Sequence, residues 1–172
     1  MEKKGCILKS GKELDYIKCL KETKKITKKP AIIVDIDGVL ANAEHRKRFD
    51  ESGNLDWEHF LDPELTRQDT LMRSDIPEIL KRIKEDGEEI ILMSGRVPKQ
   101  KNATIEWLEE HDIPYDRLIM REEWNQFVKD STFKKNETEK LLRDHDILLA
   151  IDDMKHNRDA FEELGIKTLE EI

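Results

Sequence analysis

Three short runs place acidic and hydroxyl side chains where they could do chemistry. "VDIDG" carries Asp35 and Asp37 one residue apart, "LMSGR" carries Ser94, Gly95 and Arg96, and "LLAIDD" ends in Asp152 and Asp153. Each is commonplace alone: Asp-Gly is a turn signal, Ser-Gly a routine loop start, and paired acids usually face solvent. Together they suit phosphoryl transfer. An ionised Asp35 can attack phosphorus in line. Asp37, two residues further along an extended chain, projects to the same side and can exchange protons with the leaving oxygen and then with water. Ser94 and the N–H groups beside Gly95 can hold a phosphate oxygen, and Lys134 can supply a compact cation. Gly38 gives the turn by which the chain leaves the site. Four carboxylates brought together would repel one another unless a cation sat among them. A hard divalent ion with oxygen ligands, Mg2+, answers that need at Asp35, Asp37, Asp152 and Asp153.

Such residues work only if they are brought to one edge of a sheet. From residue 31 onward, short apolar runs alternate with amphipathic segments, the pattern of βαβ units on a parallel sheet. "AIIVDI", "EEIILMS", "RLIM" and "ILLAI" read as strands, with "IKTL" as an edge strand. "SDIPEILKRIKEDG" reads as a helix capped at Ser74 or Asp75 and stopped at Gly87, followed by helices in "ATIEWLEEHD", "STFKKNETEKLLRDH" and "NRDAFEEL". In open parallel sheets ligands bind beyond the carboxyl ends of the strands, which is where all three acidic or hydroxyl runs fall.

Residues 41–73 interrupt this rhythm, since connections between a strand and the next helix usually take only about 2 to 6 residues. The stretch carries Arg46, Lys47, Arg48, Phe49, Trp57, His59 and Phe60. That mixture suits covering a phosphorylated or ring-bearing substrate, and equally suits a small helical subdomain packing its own aromatics.

The 172 residues fit one domain of ordinary size. Charged residues make up 41% and the net charge is -8, but the first 30 residues hold ten lysines against four acids, leaving -14 for the remainder. Residues 1–29 therefore read as a basic extension and residues 30–172 as the domain proper. The domain's acidity speaks against a general nucleic-acid coat, whereas the extension is a candidate nucleic-acid contact, with a solvated arm as the plainer alternative. No run approaches a membrane span, nothing resembles a secretory leader, and the expected location is cytoplasmic. Cys6 and Cys19 form no metal-binding pattern, and the five histidines are scattered, so zinc is not expected.

The order DxDG, SG, Lys, DD resembles the haloacid dehalogenase superfamily of aspartyl-phosphate phosphatases across residues 31 to 169. "DIDGVLANAEHR", "LMSGR" and "LLAIDD" are most similar to the 3′-phosphatase domain of bacteriophage polynucleotide kinase/phosphatase. The resemblance implies a three-layer α/β/α Rossmann-like fold with a small cap insertion after the first strand. It implies an Mg2+-dependent phosphatase acting on nucleic-acid 3′-phosphate ends or nucleotides. It makes Asp35 the nucleophile and Asp37 the acid/base, with the Asp37 carbonyl on the metal. Ser94 and Lys134 hold the phosphoryl group, Asp152 and Asp153 hold Mg2+, and Arg46 and Arg96, with Gly38 and Gly95, bind substrate. Lys134, Lys135 and Lys140 share one helix, and Lys134 is favoured by its distance upstream of "LLAIDD". Two departures stand out. Val39 follows Gly38 where Thr is frequent, and the kinase half is absent, "GCILKSGKE" being a near miss to a phosphate loop.

Two rivals keep the fold and change the function. A signalling receiver domain uses the same residue types, but its acid pair comes first in the chain, whereas here it comes last. A phosphate-binding scaffold would need none of the catalytic set to be complete. Within the phosphatase reading, small nucleotides compete with nucleic-acid ends as substrate.

Overall fold

The computed structural model describes residues 28–172. The basic extension up to residue 27, the near-miss phosphate loop, Cys6 and Cys19 lie outside the described residues. Within them a five-stranded sheet has the order β5-β4-β1-β6-β7, with every pairing parallel. Its strands are β1 (Lys29–Val34), β4 (Glu89–Met93), β5 (Arg117–Ile119), β6 (His145–Ile151) and β7 (Thr168–Leu169). The continuous apolar runs in β1, β4 and β6 follow from burial on both faces. Alternate residues of each strand serve the two layers. Ile32, Val34, Ile90 and Leu92 pack with α3 (Ile76–Asp86) and α4 (Lys101–Glu110) through Leu80, Trp107 and Leu108. Ala31, Ile33, Ile91 and Met93 pack with α5 (Asp130–Leu141) and α6 (Lys155–Glu162) through Phe133, Leu141 and Phe161. The fold is thus the expected three-layer α/β/α arrangement.

The ends of the first strand and of α3 bear on the site. The first strand begins at Lys29 and ends at Val34, so Asp35 already lies past it, although its N–H still donates to Ile151 O at 2.9 Å. Asp75 stands at the start of α3 without capping it, because Arg73 takes both carboxylate oxygens, at 3.0 and 2.6 Å. Gly87 does end that helix, at φ 103°, a value only glycine reaches without strain.

The insertion is a small unit of its own. A two-stranded antiparallel ribbon, β2 (Ala41–Asn42) with β3 (Thr70–Leu71), ties its two ends together. Between them lie a 3-10 turn at Glu44–Arg46 and two single-turn helices, α1 (Trp57–Phe60) and α2 (Pro63–Thr66). Each short helix is started by an aspartate side chain: Asp56 accepts from His59 N, and Asp62 from Glu64 N with Pro63 next to it. Among the described residues no helix is long and apolar enough to cross a membrane.

Candidate active site

The carboxyl ends of β1, β4 and β6 converge on one cleft of about 1300 Å3. Asp35, Asp37, Ser94, Lys134 and Asp153 all line it, together with residues of the insertion and of the loop between β5 and α5. Its charged groups fall into two clusters.

The first cluster is built around Lys134. Its buried Nζ lies 3.0 Å from Asp35 Oδ1, 2.6 Å from Asp152 Oδ2 and 3.5 Å from Asp130 Oδ2. Burial alone would pull the ammonium pKa down, but Asp35, Asp152 and Asp130 outweigh it and keep the lysine charged. Of the three lysines on α5, only Lys134 reaches these carboxylates, since Lys135 pairs with Glu163 and Lys140 with Glu137. Burial pushes the Asp35 carboxyl well above its ordinary value against the pull of Lys134, and Asp152 and Asp130 push it further.

Oxygens of Asp35, Asp152 and Asp153 lie within 4.8 Å of one another. An all-oxygen donor set with excess negative charge fits a hard cation such as Mg2+, whose shell spans about 4.2 Å across. The Asp37 side chain is not in this group. Asp153 comes close because Gly38, at φ 87°, has no side chain, and a Cβ there would collide with the Asp153 carboxylate. Gly95 plays a similar part, since a Cβ on it would sit 2.5 Å from Asp130 Oδ1. Both glycines expected to bind substrate are thus placed as clearances for carboxylates. Ser94 is buried, and its Oγ accepts from Arg96 N at 3.2 Å.

The second cluster centres on Asp37. Arg96 grips its carboxylate from Nε at 3.1 Å and Nη2 at 2.6 Å, and Arg46 Nη2 donates to it at 2.5 Å. Behind them, the buried Asp69 accepts from Arg46 Nε at 2.9 Å and from Arg96 Nη2 at 2.6 Å. Burial pushes the Asp37 carboxyl up, but Arg96 and Arg46 outweigh it and hold it below the ordinary carboxylate range. Arg46 is 0% exposed and lies behind Asp37, outside the cleft lining. A substrate contact was expected of it; its partners among the described residues are Asp37, Asp69 and the Phe60 carbonyl. Arg96 does line the cleft, although Asp37 and Asp69 occupy its guanidinium.

Several residues that complete the site went unnoticed in the sequence. Asp69 holds both arginines. Asp130 completes the Lys134 cage, and its spacing of four from Lys134 on one helix was a readable signal. Asn157 donates to Asp130 at 2.8 Å and Asp152 at 3.0 Å, and Arg158 fixes the carbonyls of both Asp152 and Asp153 at 2.7 Å. Of the insertion's aromatics, Phe60 packs under Arg46, with the guanidinium 4.7 Å from the ring centre, and Trp57 meets Phe60 edge-on. Trp57 also lines the cleft, whereas Phe49 is exposed outside it.

A doubly wound parallel sheet with an aspartate beyond β1, a lysine on a later helix and an acid pair beyond β6 is the arrangement of the haloacid dehalogenase class. Within it, the chain belongs to the family of the polynucleotide kinase PNKP phosphatase domain, whose sequence pattern matches residues 29–170. Among solved structures, the chain is similar to one in the Pnkp1/Rnl/Hen1 RNA repair complex, with 26% identity and a TM-score of 0.68 over 83% of this chain and 42% of that one. The class C acid phosphatase of Bacillus anthracis shares the fold at 21% identity and a TM-score of 0.56, covering 88% of this chain and 67% of that one. A haloacid dehalogenase-like hydrolase of Streptococcus pneumoniae shares it at 11% identity and 0.58, over 80% and 82%. The chain spans less than half the length of the chains it matches in that complex. A search of curated protein sequences returned no match.

Proposed function

We propose that the protein is an Mg2+-dependent phosphomonoesterase that removes phosphate from nucleic-acid 3′ ends through an aspartyl-phosphate at Asp35. The observation that carries this is the buried Asp35 carboxylate, 3.0 Å from Lys134 and clustered with Asp152 and Asp153 at the mouth of β1. Asp35, Asp152 and Asp153 would hold the ion, which when bound neutralises the excess carboxylate charge and the phosphoryl oxygens. Asp35 Oδ bonds to phosphorus as the ester P–O bond breaks, and the leaving oxygen takes a proton from Asp37. Water then attacks the same phosphorus and gives its proton to Asp37, and the bond to Asp35 breaks. Arg46 and Arg96 hold the Asp37 carboxyl in position and below its ordinary range, which makes its protonated form the stronger acid towards the leaving oxygen. Lys134 and Ser94 steady the oxygens of the transferring group.

The substrate assignment is supported by the family and by the similarity to a component of an RNA repair complex. A second reading, small nucleotides, draws on the -14 charge of the chain beyond residue 30, which repels long polyanions. Comparing kcat/KM on a 3′-phosphorylated oligonucleotide and a 3′-mononucleotide across a salt series separates the two. End processing requires a preference for the oligonucleotide that weakens as salt rises and that shrinks on deletion of residues 1–27. Equal rates without salt dependence would overturn it. Phosphate release that survives Asp35→Asn would overturn the mechanism itself.

A further inference from the structure

The loop joining β5 to α5 is braced from within. The buried Arg121 guanidinium donates to the carbonyls of Asn125 at 3.1 Å, Gln126 at 3.3 Å and Val128, and to Asp130 Oδ1 at 3.0 Å. Glu122 N donates to Asn125 Oδ1 at 2.7 Å, and Asn125 N returns to Glu122 O at 3.0 Å. Yet this fastened loop carries Phe127 at 93% exposure, on the wall of the cleft that holds Asp35 and Lys134. A large apolar ring is thus held in water by a well-anchored backbone, on a cleft wall that other exposed apolar side chains share. Because Arg121 also grips Asp130, the loop that presents Phe127 is tied to the Lys134 cage.

The insertion offers a second ring at the same cleft. Trp57 is 62% exposed, and α1, which carries it, is anchored by the Asp56 cap and the Arg48–Asp56 pair. Met72 and Met154 add exposed apolar surface to the lining. Lys99 lines the cleft without a carboxylate partner among the described residues. At about 1300 Å3 the cleft exceeds the roughly 300–1,000 Å3 that suffices for a compact small ligand. Aromatic rings, an unpaired cation and surplus length beside a phosphoryl-transfer centre match a strand of which several nucleotides enter the cleft, because every nucleobase has a face to stack and every linkage a phosphate.

We propose that Phe127 and Trp57 are base-stacking residues that select a 3′-phosphorylated single strand, independent of its sequence, over small phosphomonoesters. This rests on the phosphatase reading above and adds to it the residues that determine specificity. Stacking on the last bases fixes the terminal phosphate before Asp35 attacks, so its loss appears mainly in KM.

The test compares a 3′-phosphorylated decanucleotide with the same strand made abasic at its last two positions, with glycerol phosphate as a ring-free control. Wild-type protein should favour the intact strand by roughly tenfold or more in kcat/KM, and Phe127→Ala or Trp57→Ala should lose about tenfold on it, through KM, while changing turnover of the abasic strand less than about twofold. Phe127→Tyr and Trp57→Phe should restore the preference. Equal losses on both strands, or no loss on the intact one, would overturn the stacking role while leaving the phosphatase intact. Turnover of glycerol phosphate with neither strand cleaved would overturn strand recognition, and absence of release from all three substrates would remove the phosphatase reading on which it rests.

Discussion

The two charge clusters of the site sit side by side and differ in balance. Around Asp37, two arginines face two carboxylates, and every guanidinium has a carboxylate partner. Around Lys134, three carboxylates, Asp35, Asp130 and Asp152, share one buried ammonium, Asp153 adds a fourth beside Asp35 and Asp152, and Arg121 reaches only Asp130. The balanced cluster is complete without any ligand and acts as a brace that joins the insertion to β1 and β4. The unbalanced one is strained by its own charge and is relieved by an added cation. The proposed nucleophile and the carboxylates that would hold a cation lie in the unbalanced cluster, whereas the proposed proton carrier, Asp37, is held in place by the balanced one.

The largest test of this contrast is Asp35→Asn. Phosphate release from any substrate should fall at least about 10^4-fold, while stability without metal is unchanged or higher, since the substitution relieves repulsion. A substantial loss of metal-free stability would erase the distinction between the clusters. Next, Asp69→Ala should destabilise the fold by about 3–5 kcal/mol in urea unfolding, because it leaves the two buried arginines sharing only Asp37. An effect below about 1 kcal/mol would mean that the brace is ornamental. Third, Mg2+ should raise stability by about 2.7 kcal/mol at one hundred times its dissociation constant, and Asp153→Asn should remove most of that gain. A gain of equal size in the Asp153 variant would move the ion elsewhere.

The smallest effect concerns pH, and its sign should differ between the clusters. Asp37 is held below an ordinary aspartate near 3.9, so its stabilisation is fully present above that pH and fades as pH falls through its folded value. Asp35 is raised, so it does the opposite: the metal-free fold gains as pH falls through its folded value and loses as pH rises from about 3.9 to that value. Carboxyl titration followed by NMR in the metal-free protein should show Asp35 protonating at a higher pH than Asp37. The reverse order would contradict the assignment of surplus charge.

Much of the sheet was legible because period-2 and period-3.6 patterns are local. The runs that end in Asp35, Ser94 and Asp152 advertise both their burial and their termini. The clusters were legible only where a motif carried them. Asp69 sits in "TRQDTLM", an unremarkable polar turn, and its meaning comes from packing against Arg46 and Arg96, far away in the chain. Arg46 and Arg96 were legible as candidate site residues, but their pairings with the Asp37 and Asp69 carboxylates were not, because those pairings depend on packing. Phe127 gave no signal at all, since an isolated aromatic in a polar stretch reads as a buried anchor and its exposure depends on how Arg121 folds the loop.

The ribbon pairing Ala41 with Leu71 and Asn42 with Thr70 has a consequence for how this domain can diversify. It works as a seam: the insertion leaves and rejoins the body at one stitched point. Arg46 lies four residues beyond one side of that seam and Asp69 adjoins the other, so the residues that brace Asp37 hug the stitching. The stretch from Phe49 to Trp57 lies farther from the stitching, whereas Phe60 beyond it returns to Arg46 through its carbonyl and its ring. The outer part of the insertion is thus a panel fastened at one edge, and the cleft wall that Trp57 forms can change shape without unpicking the fastening.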